Sequence, residues 1–96
     1  MKKITEDWIK SAESDLLLIE EIITNQILTH IAAFHAQQAI EKGFKAIIEE
    51  YDLGFIKTHS LETLFEKVKD KIKIDIDIYL LMILDQLYID ARYPGE

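Results

Sequence analysis

No cysteine occurs in the 96 residues, which excludes a disulfide scaffold, a thiolate zinc site and a cysteine nucleophile together. Proline appears once and glycine three times, isolated at Gly43, Gly54 and Gly95. A Gly-rich phosphate loop is therefore absent, and punctuation this sparse points to helices joined by short loops. Arginine is the scarcest cation, Arg92 standing alone among eleven basic residues. No apolar run approaches the roughly 20 residues needed to cross a bilayer. The opening Met1-Lys2-Lys3-Ile4-Thr5 passes straight into Glu6-Asp7, without the apolar stretch of a secretory signal, so a cytoplasmic protein is expected. Internal repeats, low-complexity tracts and linkers are also missing.

What is present is enough for one domain, residues 1–96, with one hydrophobic core. Eighteen acidic residues against eleven basic ones give a net charge of -7, which repels a phosphate backbone over most of the surface. General nucleic-acid binding is disfavoured; a local basic patch stays open.

Hydrophobic spacing predicts four helices. The first starts with Thr5 as N-cap, shows a face of Trp8, Ala12, Leu16, Ile19 and Ile23, and ends at Thr24-Asn25-Gln26. The second runs from Thr29, again as N-cap, to Tyr51, with Gly54 suited to the left-handed conformation past a helix end. Along it Ala32, Ala36, Ala39, Gly43 and Ala46 form a ridge of small side chains, against which another helix can lie closely. Beside the ridge runs a bulkier strip of Ile40, Phe44, Ile47 and Ile48, so this helix is expected to be central.

Ser60 caps a shorter third helix with an apolar set of Leu61, Leu64, Phe65, Val68 and Ile72. Residues 72–78 then alternate as a half-buried strand would. A lone strand has no ladder partner, so an extended linker entering a helix capped by Asp75 or Asp77 is the better reading. The fourth helix reaches about Arg92, with Ile76, Leu80, Ile83, Leu84, Leu87 and Ala91 widened by Tyr79, Leu81, Met82 and Tyr88. Apolar over most of its circumference, it requires cover, and a second copy of the chain is the simplest cover.

Chemistry-bearing patterns are few. There is no Glu-x-x-His pair and no His arrangement with an acidic third ligand, so neither metal nor cofactor is expected, and His30, His35 and His59 read as surface or capping residues. Thr58-His59-Ser60 holds the elements of a nucleophilic site, but neighbours at a helix start cannot point at one another; a loop with an N-cap is the reading. Gln38, Glu41, Lys42 and Lys45 read as an outward, solvated face of the second helix. Gln37 instead projects between Ala33, Phe44 and Ile48, where its amide must find partners, in a bundle-spanning bond rather than with a ligand.

Four stretches together resemble the HEPN domain family of prokaryotes: Trp8, Ala12, Asp15 and Leu16; Ala33-Phe34-His35-Ala36-Gln37-Gln38-Ala39-Ile40-Glu41-Lys42 with Lys45-Ala46; Lys57-Thr58-His59-Ser60-Leu61 with Leu64; and Ala91-Arg92-Tyr93-Pro94. The resemblance implies an all-α, up-and-down four-helix bundle that dimerises, often encoded beside a minimal nucleotidyltransferase. In such toxin and antitoxin pairs the HEPN protein is the toxin, commonly an RNA-cleaving one. The family's ribonuclease branch carries an Arg-x(4 to 6)-His motif, in which a cation and a general acid/base meet a phosphodiester. Here Arg92 is followed by Tyr93, Pro94, Gly95 and Glu96, with no His after it, and the further helix usual beyond this stretch is expected to be missing.

Three readings follow. The first is a non-catalytic homodimeric module that partners a nucleotidyltransferase. It would hold a nucleotide or RNA near Lys57, His59, Arg92 and Tyr93, with an interface at Ala32, Ala36, Ala39, Gly43, Ala46, Leu80, Leu84 and Leu87. The second is a metal-independent ribonuclease that uses Arg92 with His59 or His35 brought from elsewhere in the fold or from a second subunit. The third is a structural adaptor whose melting temperature no nucleotide raises.

Overall fold

A computed structural model of the protein describes residues 1–92, Arg92 by its backbone alone. Among these residues it is all-helical, with α1 (Lys3–Ile22), α2 (Thr29–Glu50), α3 (Leu61–Val68) and α4 (Ile78–Arg92), and with one 3-10 turn, Gln26–Leu28, between the first two helices. No helix is long and apolar enough to cross a membrane.

α2 is central, as its two strips require. One side of it meets α3 and α4: Phe44 and Ile48 are buried with Leu61, Leu64, Val68 and Leu81, and Ile40, Ile47, Leu53, Ile56, Phe65, Ile72, Ile76, Ile78 and Leu84 pack around them. The other side carries α1, antiparallel to it. The inward stripe of α1 is Thr5, Trp8, Ala12, Asp15, Ile19 and Ile22, a spacing of three and four throughout. Leu16 and Ile23, expected on that face, are exposed instead, because Asp15 takes the inward position. It can do so because α2 supplies two donors, the Lys42 ammonium at 2.7 Å and the His35 Nδ1 at 2.8 Å. Two such partners give a buried carboxylate the hydrogen bonds that water would otherwise supply.

The helix ends follow their local chemistry with two corrections. Thr5 is not the first N-cap. The helix begins earlier, at Lys3, and the buried Thr5 hydroxyl donates to Glu50 at the far end of α2. Thr29 opens α2 without capping it, its hydroxyl donating back to the Gln26 carbonyl, while Asn25 caps the 3-10 turn by accepting from the Ile27 N–H. Gly54 has φ 99°, the left-handed conformation expected of it, and Asp52 shares that region with φ 52°. Ser60 accepts from the Thr63 N–H and caps α3. The alternating segment forms no strand, and Asp77 caps α4 through the Tyr79 N–H at 2.9 Å.

The small-residue ridge is divided. Ala32, Ala39 and Ala46 are buried within the chain, in the same stripe as His35 and Lys42, which meet α1. Ala36 and Gly43 are half-buried, and a Cβ added at Gly43 would meet nothing within 4 Å. On α4, Leu81 and Tyr88 are buried and Leu84 packs on the core, whereas Leu80, Ile83 and Leu87 face outward.

Asp15→Ala strands the half-buried Lys42 charge, and a loss of about 3 kcal/mol in urea unfolding is expected. At the other end of the α1–α2 pair, the backbone N–H of Lys2 and the Thr5 hydroxyl both donate to Glu50, and they hold its carboxyl below the ordinary glutamate range. A lowered folded-state pKa gives stability that is present above the unfolded value and lost as pH falls through the folded one. The stability gap between wild type and Glu50→Gln is therefore widest near neutral pH and closes in acid, as denaturation midpoints across a pH series will show.

Candidate functional site

The middle of α2 presents a row of polar side chains that the sequence places on a solvated face. The structure corrects this. Glu41 is buried at 4 % exposure, next to Gln37, which is fully buried as its projection between apolar residues predicts. The reason is the loop between α2 and α3, which returns across the row. Gln37 Nε2 donates to the His59 carbonyl at 2.7 Å and sits 3.5 Å from Asp85 of α4, while its Oε1 accepts from Gln38 at 2.9 Å. One amide thus joins α2, the loop and α4, the bundle-spanning role expected of it.

Glu41 gathers Lys45 Nζ at 2.8 Å and His59 Nδ1 at 3.1 Å, with the Gln37 and Gln38 amides at 3.4 Å. An ionised carboxylate only accepts, so His59 donates from Nδ1 and keeps Nε2 for another partner. His30 and His59 are exposed, as expected of surface residues, but His59 and the half-buried His35 are each oriented by a buried carboxylate. The His59 ring also lies 5.8 Å from Tyr88 of α4, which stacks on Phe34 at 5.2 Å. Asp85, one turn before Tyr88, accepts from the Leu61 N–H with both oxygens at 3.0 Å and so joins Ser60 in capping α3. In the loop the Thr58 hydroxyl accepts from the Ser60 N–H, so Thr58-His59-Ser60 is a loop with a cap and no nucleophilic relay.

A cavity of about 400 Å³ opens beside this cluster, lined by Trp8 of α1, Lys45, Ile48 and Glu49 of α2, and residues 54–59 of the loop. Two of the expected ligand residues, Lys57 and His59, meet there. Arg92 ends α4, one turn beyond Tyr88, and Tyr93 lies outside the described residues. Ala91 lines a second hollow of about 300 Å³ with His30, Ile31, Phe34 and His35. α4 therefore passes His59 at Tyr88 and borders the hollow of His35 at Ala91. Among the described residues no group of three or more His, Asp or Glu side chains is arranged to hold a metal ion.

Trp8, Lys45, Glu41 and Phe55 belong to this site, although spacing puts Trp8 on an apolar helix face and Glu41 and Lys45 on a solvated one and assigns none of the four to a site. Lys45 Nζ sits 5.5 Å from the Trp8 ring centroid, a pairing across the α1–α2 hairpin. An antiparallel register counted outward from the Gln26–Leu28 turn brings the two opposite one another, a relation that the periodicity of neither helix carries by itself.

Comparison with curated proteins and with solved structures gives no significant match to either. The HEPN domain model, in contrast, matches residues 5–96, and with that span the chain belongs to the HEPN domain family.

Proposed function

We propose that the protein is a HEPN-type interaction module of the cytoplasm, without chemistry of its own. It forms a homodimer, partners a nucleotidyltransferase in a toxin–antitoxin-like pair, and holds a nucleotide or RNA segment at the loop of Lys57 and His59. The observation that carries this reading is the outer face of α4. Leu80, Ile83 and Leu87, spaced three and four, are 51 %, 55 % and 40 % exposed, and Tyr79 and Met82 extend the apolar surface. An apolar stripe of this kind left in water marks an association site, and a single self-complementary patch is what a two-fold dimer needs. Leu84, committed to the core, and Ala32, Ala39 and Ala46, buried within the chain, leave the interface set. Half-buried Ala36 and Gly43 add a place where a second helix has room to come close.

The ribonuclease reading keeps one specific support. His59 is oriented by a buried Glu41, the arrangement a general base requires, and it lies beside Tyr88 on the helix that carries Arg92. In that reading Arg92 steadies the charge on the phosphodiester, and His59, or His35 beside the second hollow, moves the proton.

Sedimentation of the pure protein at tens of micromolar is expected to give a dimer. Ile83→Asp with Leu87→Asp is expected to give a monomer with unchanged helical circular dichroism. A wild-type monomer at those concentrations defeats the dimer reading. RNA cleavage by wild type, Arg92→Ala and His59→Ala separates module from enzyme: no activity in any, or equal activity in all three, removes the enzyme, whereas activity lost with either substitution removes the non-catalytic reading.

A further inference from the structure

We infer that the outer flank of α1 is a docking seam for a basic amphipathic helix of a partner protein. Ile9, Leu16 and Ile23 recur every seven residues along it, and Glu6, Glu13 and Glu20 repeat beside them at the same spacing. Such rows drift by only about 20° per heptad on a straight helix, so each keeps to one flank of α1. Written as heptads, Ile9, Leu16 and Ile23 take position a, half-buried Ala12 and Ile19 take position d, and the glutamates take position e, which is the pattern of one half of a coiled coil.

The fold of the single chain does not use this pattern. Leu16 and Ile23 are 52 % and 62 % exposed, and Ile9 is half-buried. Glu6, Glu13 and Glu20 are exposed, and none of their carboxylates makes a hydrogen bond or ion pair among the described residues. Lys10, one turn from both Glu6 and Glu13, pairs with neither. Support of the helix by pairs at i+4 is missing too, since Glu13 and Glu20 meet Leu17 and Thr24 there. Asp15, the acidic residue of α1 that the bundle does use, points inward to Lys42.

Charge identifies the occupant. No Lys or Arg stands between Lys10 and Lys42, and Lys42 is committed to Asp15, so the α1–α2 hairpin supplies no free cation beyond Lys10. Charges at position e decide which helix a seam accepts: a glutamate row favours Lys or Arg opposite it and rejects acid. An antiparallel second copy would lay the same glutamates against themselves, which makes this a face for a different protein. The seam lies on another helix than the apolar stripe of α4, and it does not rest on the homodimer.

The probe is a labelled synthetic peptide of about three heptads with Ile and Leu at a and d and Lys at e and g, where like charge keeps it from pairing with itself. Fluorescence anisotropy compares it with a scrambled peptide of the same composition and with one carrying Glu in place of Lys. Saturable binding of the Lys peptide is expected, at least about tenfold tighter than either control. Leu16→Gln with Ile23→Gln, and separately Glu13→Lys with Glu20→Lys, should each lose about tenfold in affinity with helical circular dichroism unchanged. The charge-reversed variant should instead gain affinity for the Glu peptide. Ile83→Asp with Leu87→Asp, altered on the α4 face, should bind the Lys peptide as wild type does. No saturable binding, equal binding of the scrambled peptide, wild-type affinity in either α1 variant, or binding lost in the α4 variant each overturns the seam. So does sedimentation of the protein alone showing assembly beyond a dimer that Leu16→Gln with Ile23→Gln undoes, because the occupant is then a second copy. A monomer that binds the Lys peptide removes the homodimer and leaves the seam; a dimer that does not bind it does the reverse.

Discussion

The burial of carboxylates governs how this domain is assembled. A charged oxygen taken out of water must be met by donors, and in a chain this short those donors lie on other elements. Asp15 draws Lys42 and His35 of α2 toward α1. Glu41 holds the loop through His59, and half-buried Asp85 holds the start of α3 and reaches Gln37. Apolar contact makes the elements adhere, but it is non-directional. The carboxylates supply direction, fixing which residue of one element lies opposite which residue of the next. No fully buried side-chain nitrogen or oxygen among the described residues is left without a partner.

The dependence extends to the candidate site. The loop that walls the cavity is tied to α2 at His59, by the Gln37 amide on its backbone and by Glu41 on its imidazole. The same bonds that hold the loop choose the His59 tautomer. Structural and functional roles therefore meet in Glu41: its neutralisation would loosen the loop and free the imidazole in one step.

Much of the fold was legible from spacing, because four helices with apolar stripes leave few arrangements. Ser60, Gly54 and Asp77 occupy the places that their side chains favour, and the alternating run at 72–78 resolves as a linker because no neighbouring strand is there to pair with it. The two misassigned helix faces share one cause. The first helix's stripe is drawn through Leu16 and past Asp15, and Glu41 beside Lys42 and Lys45 reads as outward, because a charge is assumed to seek water. Whether a charge has a partner across the bundle is a property of the tertiary register, which local periodicity does not carry. Lys57 and His59 were accessible as one motif, while Trp8 and Lys45 were not, since their meeting depends on the turn at Asn25 setting two long helices in antiparallel alignment.

Asp85 has a consequence for synthesis of the chain. α3 is eight residues long, below the length at which a helix persists alone in water, and its first N–H is capped by a side chain 24 positions downstream. As the polypeptide leaves the ribosome, α1 and α2 can already zip together, yet α3 stays unwound until residue 85 has cleared the exit tunnel. The order of assembly is therefore set by a carboxylate of α4 and not by α3's own sequence.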